Sequence, residues 1–196
     1  MEIEIEQKLQ EVIFPELSKG DPKWDLPHTK SVVHYVKEIL NSSDTLEKDK
    51  DVLIIAAYAH DWGYTKFYKQ GESLTQPEYS EAKKYHMDIG ADKIKELLKD
   101  DVFSVLDSEQ KSRIVHLVKI HDKLDGLNDL DEIILMEADT LGGLDTDFVT
   151  PSFTREENER YMNNVKSKRL PLFRNIYSKE KANELFEKRL NFYITQ

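Results

Sequence analysis

The sequence predicts an all-α protein that folds as a single domain. Apolar residues recur at helical spacing along most of the chain, and the only alternation typical of a strand is the short Ile3-Glu4-Ile5. Residues that end helices stand between these segments, as at 20–22 and at Gly126. The chain of 196 residues has no internal repeat or linker and is long enough for one domain, 1–196, with a sizeable core.

Eight segments carry the helical pattern in chain order. The first ends before the breaker run 20–22, and the second ends before the polar run 42–44. The third is the apolar run 51–63, and the seventh begins where Thr154 and Glu157 fit a capping box. The predicted helices span residues 2–19, 28–41, 50–61, 78–99, 108–122, 130–143, 154–167 and 178–194.

The longest predicted loop, residues 62–77, directly follows the third helix. Long loops in compact domains are often functional. This one contains the aromatic residues Tyr64, Phe67 and Tyr68. Their rings could stack on a nucleotide base or pack the loop against the core, and the packing role is the simpler interpretation.

The composition limits the kinds of site that the chain can carry. There are no cysteines, which excludes disulfides, thiolate zinc sites, iron–sulfur clusters and a cysteine nucleophile. Any metal must therefore be held by nitrogen and oxygen atoms. The net charge of -10 opposes binding to long nucleic acids. Small anionic substrates stay possible, because bound divalent ions reverse the local potential.

The sequence also bears on location and assembly. No run approaches the roughly 18 to 20 apolar residues that a membrane span requires. The acidic and polar start, 1–12, lacks the basic head and apolar stretch of a secretory signal. We therefore expect a cytoplasmic protein that does not bind membranes. The pattern shows no heptad repeat, so the oligomeric state stays open.

A histidine and an acid stand side by side at the end of the apolar third helix, as His60 and Asp61. Burying either without a partner would cost several kcal/mol. A helix turns about 100° per residue, so other candidates can be tested against the apolar stripe of their own helix. Four more helices each place one ligand-type residue on the apolar face: His28, His86, His121 and Asp139.

Three neighbouring residues fall outside this pattern. His34 lies on the polar side of its helix and should face solvent. His116 lies more than a quarter turn away from His121. Asp122 follows His121 directly but points off the ligand face, so we leave it out of the ligand pattern.

Structural roles are the alternative for each candidate taken alone. A single inward histidine is usually a hydrogen-bonded core residue, the His60-Asp61 pair could form a salt bridge at a helix end, and Asp139 could pair with a lysine. Burying three or four imidazoles and two carboxylates around one core without a metal would, however, carry a heavy desolvation cost. The combination therefore predicts a metal site between helices, with two ions.

The order H…HD…H…H…D on successive helices resembles the HD-domain superfamily of metal-dependent phosphohydrolases. His28, in HTKSVV, matches the first histidine of that pattern. His60 and Asp61, in AAYAHDWG, match the characteristic pair, and Asp139, in MEADTLGGLD, matches the last ligand.

Two further histidines extend the resemblance. His86, in HMDIGADKI, and His121, in VKIHDK, match the additional histidines of superfamily members that hold two metals. The resemblance covers residues 26–145, and the tail at 178–193 is similar to the closing helix of small bacterial members. Trp62 stands where the superfamily has a small aliphatic residue, a departure that is expected to reshape the mouth of the pocket.

The resemblance implies an HD-type helical bundle with two divalent ions among its central helices. It assigns His28, His60 and Asp139 to one ion and His86 and His121 to the other, with Asp61 bridging both. Nitrogen and oxygen ligands of this kind suit iron, manganese, cobalt, nickel or zinc better than calcium.

The implied activity is hydrolysis of a phosphate ester or anhydride in a small phosphorylated metabolite, in particular a nucleotide. The attacking group would be hydroxide that the ions generate from water. Asp61 is the central catalytic candidate, and Lys66, which follows the pair closely, could contact a phosphate. Two alternatives stay open. The same six ligands resemble HD-fold di-iron oxygenases, and a non-catalytic nucleotide sensor is possible, although such sensors usually lose ligands.

Overall fold

Regular structure in this protein is helical, as the sequence predicts. A computed structural model describes residues 1–42, 50–69, 74–151 and 154–192, and these ranges contain no β-strand. The α-helices are α1 (Ile3–Leu17), α2 (Asp25–Asn41), α3 (Lys50–Ala59), α4 (Gln76–Leu97), α5 (Ser108–Ile120), α6 (Leu130–Leu144), α7 (Arg155–Asn164) and α8 (Ile176–Phe192).

Each α-helix corresponds to one predicted helix, with ends that differ by at most three residues. The capping box at Thr154 is confirmed, because Thr154 Oγ1 accepts from the backbone N–H of Glu157 at 3.2 Å. Parts of three predictions lie outside the described residues: positions 43 and 44 of the polar run, 70–73 of the long loop, and 193–194 of the last helix.

The long loop 62–77 is shorter than predicted and begins with structure of its own. A 3-10 turn, Trp62–Lys66, follows the His-Asp pair. At the other end α4 begins early, because Thr75 and Glu78 form a capping box that the sequence interpretation missed. The Glu78 carboxylate accepts from the Thr75 backbone N–H at 3.0 Å. Caps of this kind satisfy N–H groups that a helix start leaves unpaired.

The apolar helix α3 lies at the centre of the packing. Every residue from Val52 to Ala59 is buried, so the helix has no solvent face. Helices α1, α2, α5 and α6 pack around it, α4 packs on α5, and α8 packs on the far side of α6. Burial of a leucine or isoleucine side chain contributes about 1.5 to 3 kcal/mol, so this helix anchors the bundle. The chain leaves α3 directly at His60, which is thereby fixed in the middle of the molecule.

The structure also bears on the membrane prediction. None of the helices in the described ranges combines the length and the apolar character that crossing a membrane requires.

Candidate metal centre

Five helices deliver ligand-type side chains to one place. His28 lies in the first turn of α2, His86 lies within α4 and Asp139 lies within α6. His60 and Asp61 follow the end of α3, and His121 caps the end of α5. All six predicted residues are brought together, in two sets whose ligand atoms lie within 4.8 Å of one another. We call these six residues the ligand cluster.

The first set contains His28, His60 and Asp139. His28 Nε2 lies 3.0 Å from Asp139 Oδ1 and 3.3 Å from His60 Nε2. Oδ2 of Asp61 faces the same point, 3.6 Å from His28 Nε2 and 3.3 Å from His60 Nε2. Two ligand atoms that are each about 2.1 Å from one ion lie about 3 to 3.4 Å apart. The spacing of this set is therefore close to that which a shared ion requires.

The second set contains Asp61, His86 and His121. Here Asp61 presents its other oxygen: Oδ1 lies 3.7 Å from His86 Nε2 and 3.4 Å from His121 Nε2. A single carboxylate thus faces both sets, one oxygen to each. A carboxylate in this position has one oxygen available to each ligand set.

In three of the histidines, a hydrogen bond to the backbone determines which ring nitrogen carries the proton. Each donates from Nδ1 to the carbonyl three residues earlier: His60 to Ala57 at 2.8 Å, His86 to Lys83 at 2.9 Å and His121 to Val118 at 2.8 Å. A carbonyl only accepts, so the proton is on Nδ1 and the lone pair of a neutral ring is on Nε2. The Nε2 atoms are those that converge in the cluster, so the chain presents each ring in the orientation that metal binding requires.

The electrostatics of the cluster favour a bound cation. Burial acts to raise the pKa of Asp61, but the nearby imidazoles of His60 and His121 outweigh it and hold that pKa well below its ordinary value. Burial likewise acts to raise the pKa of Asp139. The positive charge of Arg169 and the hydrogen bond with His28 outweigh burial, so the pKa of Asp139 is also lowered. Both carboxyl groups are therefore charged at neutral pH.

The pKa values of His60 and His86 shift in opposite directions. Burial is the main influence on His86 and lowers its pKa to about 4, so the ring is neutral at pH 7. Burial also acts to lower the pKa of His60, but Asp61 and then Asp139 raise it to about 9. A positive charge is thus stabilised beside the two carboxylates, and a metal ion would compete with the proton for that position.

A cavity of about 270 Å³ opens over the ligand cluster. Besides five residues of the ligand cluster, all but His60, it is lined by the charged side chains of Lys83, Asp122, Lys168 and Arg169. A space of this size accommodates a small molecule rather than a polymer.

Lys66 is the one predicted site residue that the structure does not bring to the cluster. Its side chain is exposed, and it is not among the described residues that line the cavity. The preceding residues explain this, because Trp62 Nε1 and Thr65 Oγ1 bind the Glu16 carboxylate at 3.0 and 3.1 Å and pin the turn to α1. Lys66, at the end of that turn, is left in solvent.

Trp62 also differs from expectation. It does not shape the mouth of the cavity, since its side chain is 4% exposed and packs in the core. The Lys93 ammonium lies 4.4 Å from the ring centroid and also binds Glu16. The large residue after the His-Asp pair therefore fastens the turn between α1 and α4.

The aromatic residues of the loop pack against the protein, and Tyr64 also lines the cavity. Tyr64 is buried and stacks on the His86 imidazole, with ring centroids 4.2 Å apart. Tyr79 of α4 also stacks with Tyr64, with ring centroids 5.7 Å apart, and lines the cavity. Phe67 and Tyr68 are half-buried and are not among the described residues lining the cavity. Of the three loop aromatics, Tyr64 alone is thus among the residues that line the cavity, beside Tyr79, which lies outside the predicted loop.

Asp122 belongs to neither ligand set, as predicted, but it has a place in the cavity wall that the sequence interpretation does not give it. Its carboxylate lines the cavity and binds Arg169 and, at 3.0 Å, Lys83 Nζ. Helix α5 ends at Ile120, so the 100° step of a helix does not extend to Asp122. The second His-Asp pair in the sequence was the available signal. Arg169 had none, because it lies outside the range of the resemblance.

A comparison with known protein families agrees with this geometry. The HD domain family matches residues 26–143, which is more than half of the chain and contains the whole ligand cluster. Comparisons with curated proteins and with solved structures give no match. The predicted range 26–145 differs from the matched range only at its end. The chain belongs to the HD domain family.

Proposed function

We propose that this protein is a metal-dependent phosphohydrolase that cleaves a phosphate ester or anhydride in a small metabolite, with a nucleotide as the favoured class. The main observation behind this proposal is that the Asp61 carboxylate faces both ligand sets. It does so at the floor of a cavity that is also lined by cationic side chains. Membership of the HD domain family supports the same reaction class.

The donor set fits divalent ions of the transition series. In this proposal His28, His60 and Asp139 hold one ion, His86 and His121 hold the other, and Asp61 contacts both. Imidazole and carboxylate ligands suit manganese, iron, cobalt, nickel or zinc. Such ions supply activation of a water molecule near neutral pH and neutralisation of phosphoryl charge.

The rest of the chain contributes orientation and charge. The Nδ1–H bonds of His60, His86 and His121 keep the ring planes fixed before any ligand arrives. Lys83, Lys168 and Arg169 place positive charge on the cavity wall, which favours an anionic substrate. This charge supports a phosphorylated substrate, and we favour hydrolysis over the oxygenase alternative for that reason.

A nucleotide is favoured because aromatic rings line the same cavity. Trp24 and the half-exposed Tyr79 both contribute to its wall. Stacking of a base on an exposed aromatic ring contributes about 1 to 3 kcal/mol. The cavity volume of about 270 Å³ restricts the substrate to a small molecule.

The test is phosphate release with metal-loaded protein. The substrates are a panel of nucleotides, a dinucleoside polyphosphate, a cyclic dinucleotide and an aryl phosphate, each with manganese, nickel, iron or magnesium. We expect metal-dependent release that is lost in both Asp61→Ala and the isosteric Asp61→Asn.

Two outcomes would overturn the proposal. Iron-loaded protein that consumes oxygen and releases no phosphate would indicate an oxygenase. Tight binding of a nucleotide without turnover under any of the metals would indicate a sensor.

A further inference from the structure

A short π-helical segment places Arg169 above the ligand cluster. The segment Val165–Arg169 continues α7 and ends at this residue. Segments of this kind are rare and occur often at functional sites. Arg169 Nη1 donates to Asp139 Oδ2 at 2.7 Å and to Thr140 Oγ1 at 3.0 Å, and Nη2 donates to Asp122. The guanidinium is thereby held at one position against the cavity wall.

The same guanidinium keeps donors for a ligand. A guanidinium has five N–H donors, and the bonds to Asp139, Thr140 and Asp122 use three of them. In the part of the chain that the structure describes, no protein acceptor takes the other two. The side chain is 17% exposed and lines the cavity. Arg169 is therefore fixed by its anchors and keeps two N–H groups that these bonds do not use.

Asp122 ties this arginine to a second cation. One oxygen of its carboxylate binds Arg169, and the other lies 3.0 Å from Lys83 Nζ. The Asp122 side chain is 13% exposed, so little water competes with these bonds. The carboxylate thus holds two positive groups, from α4 and from the π-helical segment, on the same wall of the cavity.

The charge balance of the cavity points to an anion. Its charged lining consists of three acids, Asp61, Asp122 and Asp139, and three bases, Lys83, Lys168 and Arg169. The lining is therefore electrically balanced in a protein whose net charge is -10. Divalent ions in the ligand cluster would make the cavity strongly positive, and a phosphoryl group is the small anion that such charge favours.

We propose that Arg169 is a substrate-binding residue that donates to a non-bridging oxygen of the phosphoryl group, and that Asp122 is the residue that positions it. The inference rests on the proposed function, because the phosphoryl group is taken to sit on the ions of the ligand cluster. Asp139 Oδ2 accepts a hydrogen bond from Arg169, and Asp139 Oδ1 lies beside His28 Nε2 in the first ligand set. The guanidinium therefore lies next to the expected position of one ion.

The experiment measures orthophosphate binding to manganese-loaded protein by titration calorimetry, with metal content determined on the same samples. The variants are Arg169→Gln and Asp122→Asn. The control is Lys166→Gln, which removes an exposed cation from the same segment and not from the cavity lining. We expect at least tenfold weaker binding in Arg169→Gln, unchanged binding in Lys166→Gln, and unchanged metal content in both.

A double variant separates positioning from general disruption. If Asp122 acts through Arg169, Asp122→Asn weakens orthophosphate binding by a smaller factor, and adding it to Arg169→Gln causes no further loss. Additive losses would overturn the positioning role. Loss of manganese in Arg169→Gln would overturn the substrate-binding role, because it would show that the arginine supports the metal ligands instead.

The two proposals fail in different ways. Phosphate release by the wild type, with equal orthophosphate affinity in wild type and Arg169→Gln, would overturn this inference and leave the hydrolase intact. Orthophosphate binding that depends on Arg169, without release from any substrate, would support the anion site and overturn the hydrolase.

Discussion

Asp61 is the residue on which both ligand sets depend. Its two oxygens face different pairs of histidines, at distances from 3.3 to 3.7 Å. The other members of the cluster belong to one set only. Removing a histidine should therefore affect one ion, whereas removing the Asp61 carboxylate should affect both.

This asymmetry predicts metal content. We expect His28→Ala and His86→Ala each to retain one manganese ion per chain after dialysis, where the wild type retains two and Asp61→Asn retains none. Loss of a ligand or of its support typically costs tenfold or more in metal affinity. The measurement is elemental analysis of dialysed protein. His34→Ala is the control, because His34 is exposed on α2. Two ions in the Asp61→Asn protein would contradict the bridging role.

At the residue scale the sequence predicts which six ligand-type side chains come together, but it does not predict the residues Asp122 and Arg169 of the cavity wall. Residues inside helices, such as His28 and His86, obey the 100° step, and their inward direction can be read from the apolar stripe. Asp122 lies beyond the end of α5, where that rule no longer applies. Arg169 comes from a π-helical segment, whose geometry has no periodic signal in the sequence.

At the scale of elements, the close contact of α2 and α6 determines how near the members of the first ligand set lie to one another. Gly142 of α6 faces Val32 of α2, and a Cβ at Gly142 would lie 2.8 Å from Val32 Cγ2 and 3.1 Å from the Val32 backbone N. These distances are too short for a methyl group, so the two helices would have to separate. His28 lies one turn before Val32, and Asp139 lies three residues before Gly142.

Gly142→Ala should therefore damage both stability and the metal site. Overpacking of this kind typically costs about 1 to 3 kcal/mol. We expect a lower midpoint in urea unfolding, together with weaker manganese binding at the first set. Gly126→Ala is the matched control, because the nearest atom to a Cβ there is 4.0 Å away. Equal midpoints for the two variants would contradict this account of the helix contact.

The start of α6 is held by a single buried carboxylate. Glu132 accepts from the backbone N–H groups of Asn128 at 2.8 Å and Asp129 at 3.1 Å, and from His116 at 2.8 Å. Burial acts to raise its pKa, but these donors and Arg113 outweigh it and lower the pKa from 4.5 to about 2. The charged form therefore stabilises the fold, because the folded protein holds the proton less tightly than the unfolded chain.

The sign of this shift gives a pH prediction. The stabilisation is fully present above about pH 4.5 and is lost as the pH falls towards 2. We expect Glu132→Gln to lower the free energy of unfolding by about 1 to 3 kcal/mol at pH 7, with a difference from wild type that narrows below pH 4.5. The check is urea unfolding across this range, with exposed Glu187→Gln as control. A difference that does not change with pH would refute the capping role.

The ends of the helices show where sequence patterns stop being informative. Apolar periodicity places every helix, but it continues past the true end of α3, where His60 and Asp61 leave the helix as a turn. That turn places the His60 imidazole in the first ligand set and the Asp61 carboxylate between the two sets. Polar capping residues indicate the boundaries better, because Thr154 marks the start of α7 and Thr75 marks the start of α4.

At the scale of the whole molecule, the segments outside the family match belong to the same core. Helix α1 packs on α3 and on the turn Trp62–Lys66, and α8 packs on α6. Fully buried Arg189 of α8 donates to the Asn158 side chain at 2.9 Å and to the Gly143 carbonyl. We therefore propose that residues 1–196 form one domain, in which the C-terminal helix supports the wall of the site.

The ligand cluster also carries a cost that a metal would remove. Buried imidazoles and carboxylates face one another across 3.0 to 3.9 Å, and each loses hydration. An ion that binds only the folded state stabilises it by about 2.7 kcal/mol per site at a hundredfold excess over the dissociation constant. Stability and metal occupancy should consequently be coupled.

We expect manganese or zinc to raise the thermal unfolding midpoint of the wild type and to leave Asp61→Asn unchanged. The measurement is a thermal melt with and without added metal. Calcium is the control ion, because it prefers an all-oxygen site and should have little effect. An equal rise in Asp61→Asn would show that the ions bind elsewhere on this acidic protein.

Anomalous X-ray diffraction from crystals soaked in manganese tests the central claim most directly. The account predicts two peaks about 3.5 to 4 Å apart. One should lie among His28, His60, Asp139 and Asp61 Oδ2, and the other beside His86, His121 and Asp61 Oδ1. A single peak that contacts only one oxygen of Asp61, or no peak within the ligand cluster, would contradict it.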